Sequence, residues 1–313
     1  MRFDASKAFV VLLLAGFAVL PVFMPDQPFY LNLARRIMIL AIAALSLNLI
    51  MGYGGLISMG HAAYIALGGY TVGILAHHDV TSAWIQWPLA LAISAAVALV
   101  FGLISLRTRG VYFIMITLAL AQMLYYVGVS LETYGGDDGL PLLFRSELGG
   151  WIDLGDDTSF YYLVYGLLLA CLLLMHRIVN SRFGMVVQGA RSNEKRMEAL
   201  GFPTLRYRLT AFVIAGVMAG LAGALLANHT DFVSPDMGDW TRSAELLVMA
   251  LLGGMGSLAG PIVGATALLF LEERLSALTE YWALFLGPIL ILVVLFARNG
   301  LLGLLSPRGR RDG

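Results

Sequence analysis

The sequence predicts an all-α integral membrane protein, a polytopic bundle of about eight full spans plus a broken or re-entrant helix pair near residues 246–271. Three observations predict it. Hydrophobic residues make up 59% of the 313 and charged residues 13%, with a mean hydropathy of +0.82; an ordinary soluble domain has about 45–50% and about 25%. Uncharged runs long enough to cross a hydrocarbon core, roughly 20 residues for roughly 30 Å, recur along the whole chain. The connecting segments differ strongly in charge sign, as loops on opposite faces of a membrane do. The formal net charge of zero excludes a basic nucleic-acid binder. So much apolar surface excludes a disordered chain. The single cysteine, Cys171, excludes an internal disulfide and a cysteine-based metal site.

Taken in order, the first span is Ala8–Pro25. MRFDASK precedes it as the start of a secretory signal would, but no small-residue cleavage site stands before Pro21 and Pro25, so it reads as an uncleaved helix. Residues 37–106 hold one formal charge, Asp79, which divides them into 37–76 and 83–106. The first piece is long enough for two spans, with GYGGLISMGH as the break. Further runs are Val111–Leu131, Phe160–Met175, Leu209–Asn228, Leu246–Leu271 and Trp282–Ala297. Leu246–Leu271 is long for one span and short for two, and GGMGSLAGP (253–261) lies at its centre. It reads as a broken or re-entrant hairpin, a form tolerated where protein or a water-filled cavity shields the backbone.

Orientation follows from the loops. Segment 177–208 carries Arg177, Arg182, Arg191, Lys195, Arg196, Arg206 and Arg208 against two acids; segment 132–159 carries Glu132, Asp137, Asp138, Glu147, Asp153, Asp156 and Asp157 against Arg145 alone. The basic loop belongs in the cytoplasm, and one span separates the two. Counting back places Arg2, Lys7 and the Arg107/Arg109 turn inside as well. Counting forward, the tail with Arg298, Arg308, Arg310 and Arg311 falls inside if 246–271 enters and leaves on one side. Both termini are then cytoplasmic, and the zero net charge is the cancellation of two opposite faces. Arg35 and Arg36, placed outside, are the misfit. Trp84, Trp87, Tyr161, Tyr162, Tyr281 and Trp282 stand at span starts, as an interfacial aromatic belt would.

Gly69–Gly73, Gly216–Gly220 and Gly260–Gly264 match G-x-x-x-G within apolar sequence, a spacing that brings helix backbones close. Two other glycine clusters interrupt spans in different halves: Gly54, Gly55 and Gly60 in GGLISMG, and Gly253, Gly254 and Gly256 in GGMGSLAG. Interrupted spans in corresponding halves point to a transporter's central site; two unrelated kinks are the other reading. Asn48, Ser58, His61, Gln122 and Ser257 are candidates for lining a polar path or locking helices together. No Asp, Glu, Lys or Arg lies deep in any predicted span, which argues against a proton- or sodium-coupled carrier. The G-x-x-x-x-G-K-[ST], H-E-x-x-H and G-x-S-x-G motifs are missing, so the chain is not read as an enzyme. His77–His78–Asp79 reads as a short exposed loop rather than a metal site. Any ATP that drives the protein is hydrolysed by another chain.

Met185–Leu200 mixes charges and apolar groups at helical spacing, and Gly201 and Pro203 stop it. Such a helix docks into a groove on a partner or rests on anionic lipid. Here the residues resemble a family. The loop is similar to the coupling loop of ABC-importer permeases, and more closely to LivM-type permeases of branched-chain amino-acid importers. In that family SRFG, A-x-R-x-N/D-E, E-A-L-G and Y-R/K-L-x-A-F recur in order; here they are Ser181–Gly184, Ala190–Glu194, Glu198–Gly201 and Tyr207–Phe212. Leu200 and Gly201 depart from the generic Glu-Ala-Ala form. Residues 47–70, 107–123 and 251–265 resemble the family's other signatures, so the likeness covers most of the chain.

The resemblance implies one permease domain over residues 1–313 of a five-part importer in the bacterial inner membrane. Its partners would be a second, paralogous permease in the family's usual pairing, two ABC ATPases that carry the ATP and magnesium, a periplasmic binding protein and membrane lipid. No cofactor is held by this chain. Glu198, Ala199 and Gly201 would sit in the ATPase groove with Arg191 and Glu194 nearby, and the acidic loop 132–159 would lie where the binding protein docks. The implied cargo is Leu, Ile or Val. A urea or short-amide importer, and a stand-alone channel or secondary carrier for a small neutral solute, remain the alternatives.

Overall fold

The computed structural model describes residues 5–24, 27–149, 154–296 and 300–305. The charges of Arg2, Asp153, Arg298, Arg308, Arg310 and Arg311 fall outside these residues, as does the side chain of Lys7. The described residues are predominantly helical, with one small strand pair. In chain order the elements are α1 (Ala5–Phe23), α2 (Pro28–Asn48), α3 (Ala62–His77), α4 (Ala83–Ser105), α5 (Val111–Ser130), β1 (Leu140–Pro141) and α6 (Asp157–Val179). There follow α7 (Arg182–Ser192), α8 (Glu194–Ala199), α9 (Thr204–Thr230), β2 (Phe232–Val233), α10 (Trp240–Gly253), α11 (Gly260–Leu278), α12 (Trp282–Phe296) and α13 (Gly300–Leu305). Among the described residues five helices are long and apolar enough to cross a membrane: Pro28–Tyr53, Ala83–Ser105, Val111–Ser130, Asp157–Val179 and Thr204–Thr230. Among the described residues three shorter apolar helices, Ala8–Phe23, Ala62–His77 and Trp282–Leu292, occupy the other uncharged runs except Leu246–Leu271, which is left to α10 and α11.

Helix α2 is the axis of the bundle. Nearly every residue from Ile37 to Asn48 is buried, and α9, α11, α6 and α10 pack around it. A span buried on all sides has no need of an amphipathic stripe, which is why its sequence reads as uniformly apolar. Helices α3 and α9 cross at glycines: a Cβ on Gly68 would strike the Gly220 carbonyl, and one on Gly223 would strike that of Ile65. Gly216 lies against Ala98, and Gly260 and Gly264 lie against α10. The G-x-x-x-G spacings therefore serve close helix packing.

Helices α10 and α11 form an antiparallel hairpin, with Gly253 against Gly260 and the Met249 carbonyl against Gly264. Both helices outrun the uncharged stretch, beginning at Trp240 and ending at Leu278. The turn that joins them reaches the C-terminal end of α2.

Three expectations are corrected. First, α2 begins at Pro28, with proline in the first turn, where its fixed φ and missing N–H are tolerated. Arg35 and Arg36 are therefore inside the helix and not in an outer loop. Second, a charged side chain is packed inside the bundle on a helix long enough to span: Arg35 is 1% exposed. It donates to Asp157 Oδ1 at 2.7 Å and to Asn32, with its guanidinium carbon 5.7 Å from the Phe160 ring centroid. Arg36 pairs with Glu272 at 3.5 Å. Third, Tyr161 does not join an aromatic belt; it is fully buried and donates to the Phe17 carbonyl at 2.7 Å, tying α6 to α1. Trp84 and Tyr281 are exposed, as a belt requires.

The acidic segment is built into the bundle. β1 pairs antiparallel with β2, Leu140 opposite Val233. Arg145 donates to Asp157 at 3.0 Å and to Asp231 at 3.1 Å. Ser146 donates its N–H to Asn228 Oδ1 at 2.7 Å and its hydroxyl to Gln86 Oε1. Two backbone bonds, Ala83 N to Glu147 O at 2.8 Å and Glu147 N to Thr81 O at 2.7 Å, complete the weave.

Candidate functional site

At the end of the bundle opposite Arg145, both glycine breaks meet. Helix α2 widens into a π-helical turn over Leu49–Tyr53, with Gly54 N bonding Leu49 O at 3.1 Å. Such turns recur at functional sites because they loosen the helix locally. The chain then runs without helix to His61. Gly55 has φ +72°, a backbone conformation that glycine adopts without strain. Gly60 passes so close to the Thr117 carbonyl of α5 that a side chain would not fit, and Met59 N donates to Thr117 Oγ1 at 3.3 Å.

The second break, between α10 and α11, turns at Gly254 and Gly256, with φ +114° and +75°. Asn48 joins it to α2: Nδ2 donates to Ser257 O at 2.9 Å and Oδ1 accepts from Gly256 N at 3.0 Å. With both halves of its amide paired and no exposed surface, Asn48 locks helices in this conformation. Ser257 Oγ donates to the Gly254 carbonyl at 2.8 Å. From the other side Arg191, at the end of α7, donates to the Gly52 carbonyl. Its methylenes lie over Gly55, and its guanidinium lies beside Gly256.

The other proposed path residues are dispersed. Ser58 is buried and accepts weakly from Gly60 N at 3.4 Å. His61 Nε2 sits 2.7 Å from Ser46 Oγ, which itself donates to the Ala43 carbonyl. The imidazole is therefore the donor to Ser46, leaving its buried Nδ1 without a partner, as is the hydroxyl of neighbouring Tyr64. Gln122 lies towards the Arg145 end, donating to Asp239 Oδ1 at 3.2 Å. Asp239 also caps α10 through Thr241; burial alone would raise its carboxyl, but bonds from Thr241 and Gln122 hold it below the usual range. Arg145 is raised although burial opposes its charge, because Asp231 and Asp157 hydrogen-bond to it.

The basic segment forms two short helices. Ser181 caps α7 by accepting from Gly184 N at 3.2 Å, and Asn193 caps α8 by accepting from Arg196 N at 3.0 Å. Glu194 is turned inward, 15% exposed in its side chain, and pairs with Arg208 at 2.8 Å and Arg109 at 3.0 Å. Glu198 accepts from Thr204 at 3.0 Å yet remains on the surface with Ala199. Gly201 has φ +87° and open space where a Cβ would be. Met185, Leu200, Phe202 and Leu205 are exposed around this ridge.

Ser46, Ser243, Arg109 and Arg208 were not singled out from sequence. Ser46 had a signal, a hydroxyl two residues before Asn48 in an apolar run. Ser243 accepts from Ala62 N at 2.9 Å across the bundle, and nothing in its neighbourhood announces that partner. His77 and His78 stack with Tyr134, and among the described residues no group of three His, Cys, Asp or Glu could hold a metal ion.

Comparison with known proteins gives consistent results. The family model described as "Branched-chain amino acid transport system / permease component" matches residues 29–294. The high-affinity branched-chain amino acid transport system permease protein LivM of Salmonella typhimurium is 32% identical over 300 residues, covering 88% of this chain and 71% of the relative. LivH of Escherichia coli K12 is 26% identical over 284 residues, covering 84% and 91%. The ribose import permease RbsC of E. coli K12 is 24% identical over 276 residues, covering 86% and 84%. No solved structure matches the chain.

Proposed function

This chain belongs to the branched-chain amino-acid transport permease family, and we propose that it is one of two paralogous permease subunits of an ATP-driven importer for Leu, Ile and Val. The observation that carries this reading is the continuity between an exposed ridge and the two glycine breaks. Glu198, Ala199 and Gly201 stand on the surface with apolar Leu200, Phe202 and Leu205 around them, a shape suited to the groove of a partner. The same segment carries, two residues before Asn193, a side chain that reaches Gly52.

In this reading two separate ATPases carry ATP and magnesium, this chain holds no cofactor, and it makes and breaks no covalent bond. The chain lies in the inner membrane with both termini and 177–208 in the cytoplasm, because the basic loop is retained there. Residues 1–313 act as one permease domain. The opposite end, with exposed Asp137, Asp138 and Asp236, would meet a periplasmic binding protein, where acidic groups steer a basic patch and fix its register. Asn48 and Ser257 act as a lock between the breaks and Gln122 as a partner of the α10 cap, so Ser58 and His61 are the polar groups left to the path. Neutral groups of this kind suit a zwitterion whose aliphatic side chain passes an apolar wall.

Reconstitution tests the proposal. Vesicles holding this chain with its second permease, ATPases and binding protein should take up labelled leucine only with ATP, and should not take up urea. Leucine uptake without any ATPase would make it a channel or secondary carrier; urea uptake in place of leucine would move it to the amide importers.

A further inference from the structure

The basic loop of this family is the part expected to meet an ATPase, and Arg191 lies within it; although the residue is exposed, its guanidinium reaches back to the Gly52 carbonyl. Gly52 stands one residue before the end of the π-helical turn, where carbonyls lack an intrahelical donor. A guanidinium there satisfies the carbonyl with a charge-assisted bond and complements the negative end of the helix dipole. The stem of Arg191 lies flat over Gly55, made possible by the missing side chain, while the guanidinium borders Gly256 of the second break. Asn48 fastens Gly256 and Ser257 to α2. Among the described residues, no other hydrogen bond joins α7 to either break. Glu194, two residues past the end of the Arg191 turn, is meanwhile pinned to α9 and to the turn before α5 by Arg208 and Arg109.

We infer that Arg191 is a positioning residue that transmits movement of α7–α8 to both glycine breaks at once, and that it does not form part of the surface that grips an ATPase. This rests on the importer reading above. A pull on α8 is carried through Asn193 into the last turn of α7. Arg191 applies it to the end of α2, and Asn48 passes it to the turn of the α10–α11 hairpin. Two breaks in different halves of the chain then shift together, because one guanidinium and one amide connect them.

The test uses the reconstituted importer and reads leucine imported per ATP hydrolysed. Arg191→Ala should lower that ratio about tenfold or more, with the ATPases still bound and basal ATP hydrolysis retained. Arg191→Lys should recover part of it, since an ammonium can reach Gly52 but cannot also border Gly256. A second variant keeps the test independent of folding. A Cβ on Gly55 would lie 3.5 Å from that of Arg191, within disulfide range. Gly55→Cys with Arg191→Cys, in a Cys171→Ala background, should be uncoupled when reduced and substantially recoupled when oxidised, on the same molecules. An Arg191→Ala complex that keeps the wild-type ratio overturns the inference. So does one that loses its ATPases, a cysteine pair that does not oxidise, or an oxidised pair no better coupled than the reduced one. Failure of the wild-type complex to import leucine with ATP would instead sink the importer reading.

Discussion

At the end of the bundle where α6 begins, Arg145 lies between Asp157 and Asp231, Arg35 joins the same carboxylate, and both guanidiniums rest over Phe160. At the opposite end the chain breaks at Gly54–Gly55 and at Gly254–Gly256, and two side chains, Asn48 and Arg191, hold the pieces. The first end uses redundant ion pairs, a strand pair and interlocked backbone bonds. The second uses single links across backbone with little regular structure. An end with many redundant links resists relative motion of its parts; one with single links between flexible segments can be repositioned by a small external pull. The contrast assigns one end to holding and the other to moving.

The largest effect is expected where both demands meet. Gly253→Val would thrust a branched side chain into the Gly260 carbonyl; overpacking of this kind costs about 3 kcal/mol or more where backbone blocks relaxation. The hairpin should fail to close, read as loss of the folded protein in detergent. Asp157→Ala comes next. Breaking a buried pair costs about 3–5 kcal/mol, but Asp157 is 52% exposed in its side chain, so solvent screening reduces this to roughly 2 kcal/mol. Stability in detergent should drop, while leucine imported per ATP stays at the wild-type value. Asn48→Ala should show the converse pattern. It strands Gly256 N and Ser257 O for about 1–3 kcal/mol, and the import ratio should fall with it. Equal effects of the two variants on that ratio would erase the distinction between the ends. Ser181→Ala removes the cap of α7 and should cost about 1 kcal/mol, seen as faster hydrogen exchange at Gly184 without loss of the bundle.

Much of this architecture was legible because apolar runs, glycine pairs and loop charges are local signals. The uncharged runs became helices, and 246–271 became a hairpin because paired glycines, a serine and Pro261 leave no other way to use the run. Arg35 was misplaced because its partner, Asp157, stands 122 residues away; no window around Ala34–Arg36 shows that the charge is neutralised inside the fold. Pro28 in the first turn was the available hint that α2 starts early. The coupling segment was found by its motif, but the inward turn of Glu194 and the reach of the exposed Arg191 to Gly52 were not. Each depends on a residue from a distant helix, Arg208 or Gly52, brought near only by packing. Gln122 reads as a polar path residue from sequence and is a partner of the α10 cap in the structure, for the same reason.

The division between a held end and a moving end is tested most directly by hydrogen exchange of the assembled importer in membranes, with and without ATP trapped on the ATPases. The account predicts that amides of Gly54, Gly55, Leu56, Gly254 and Gly256 change protection together between the two states, while those of Ala83, Leu142, Ser146 and Glu147 stay equally protected in both. Exchange that changes at the second group and not at the first would contradict it.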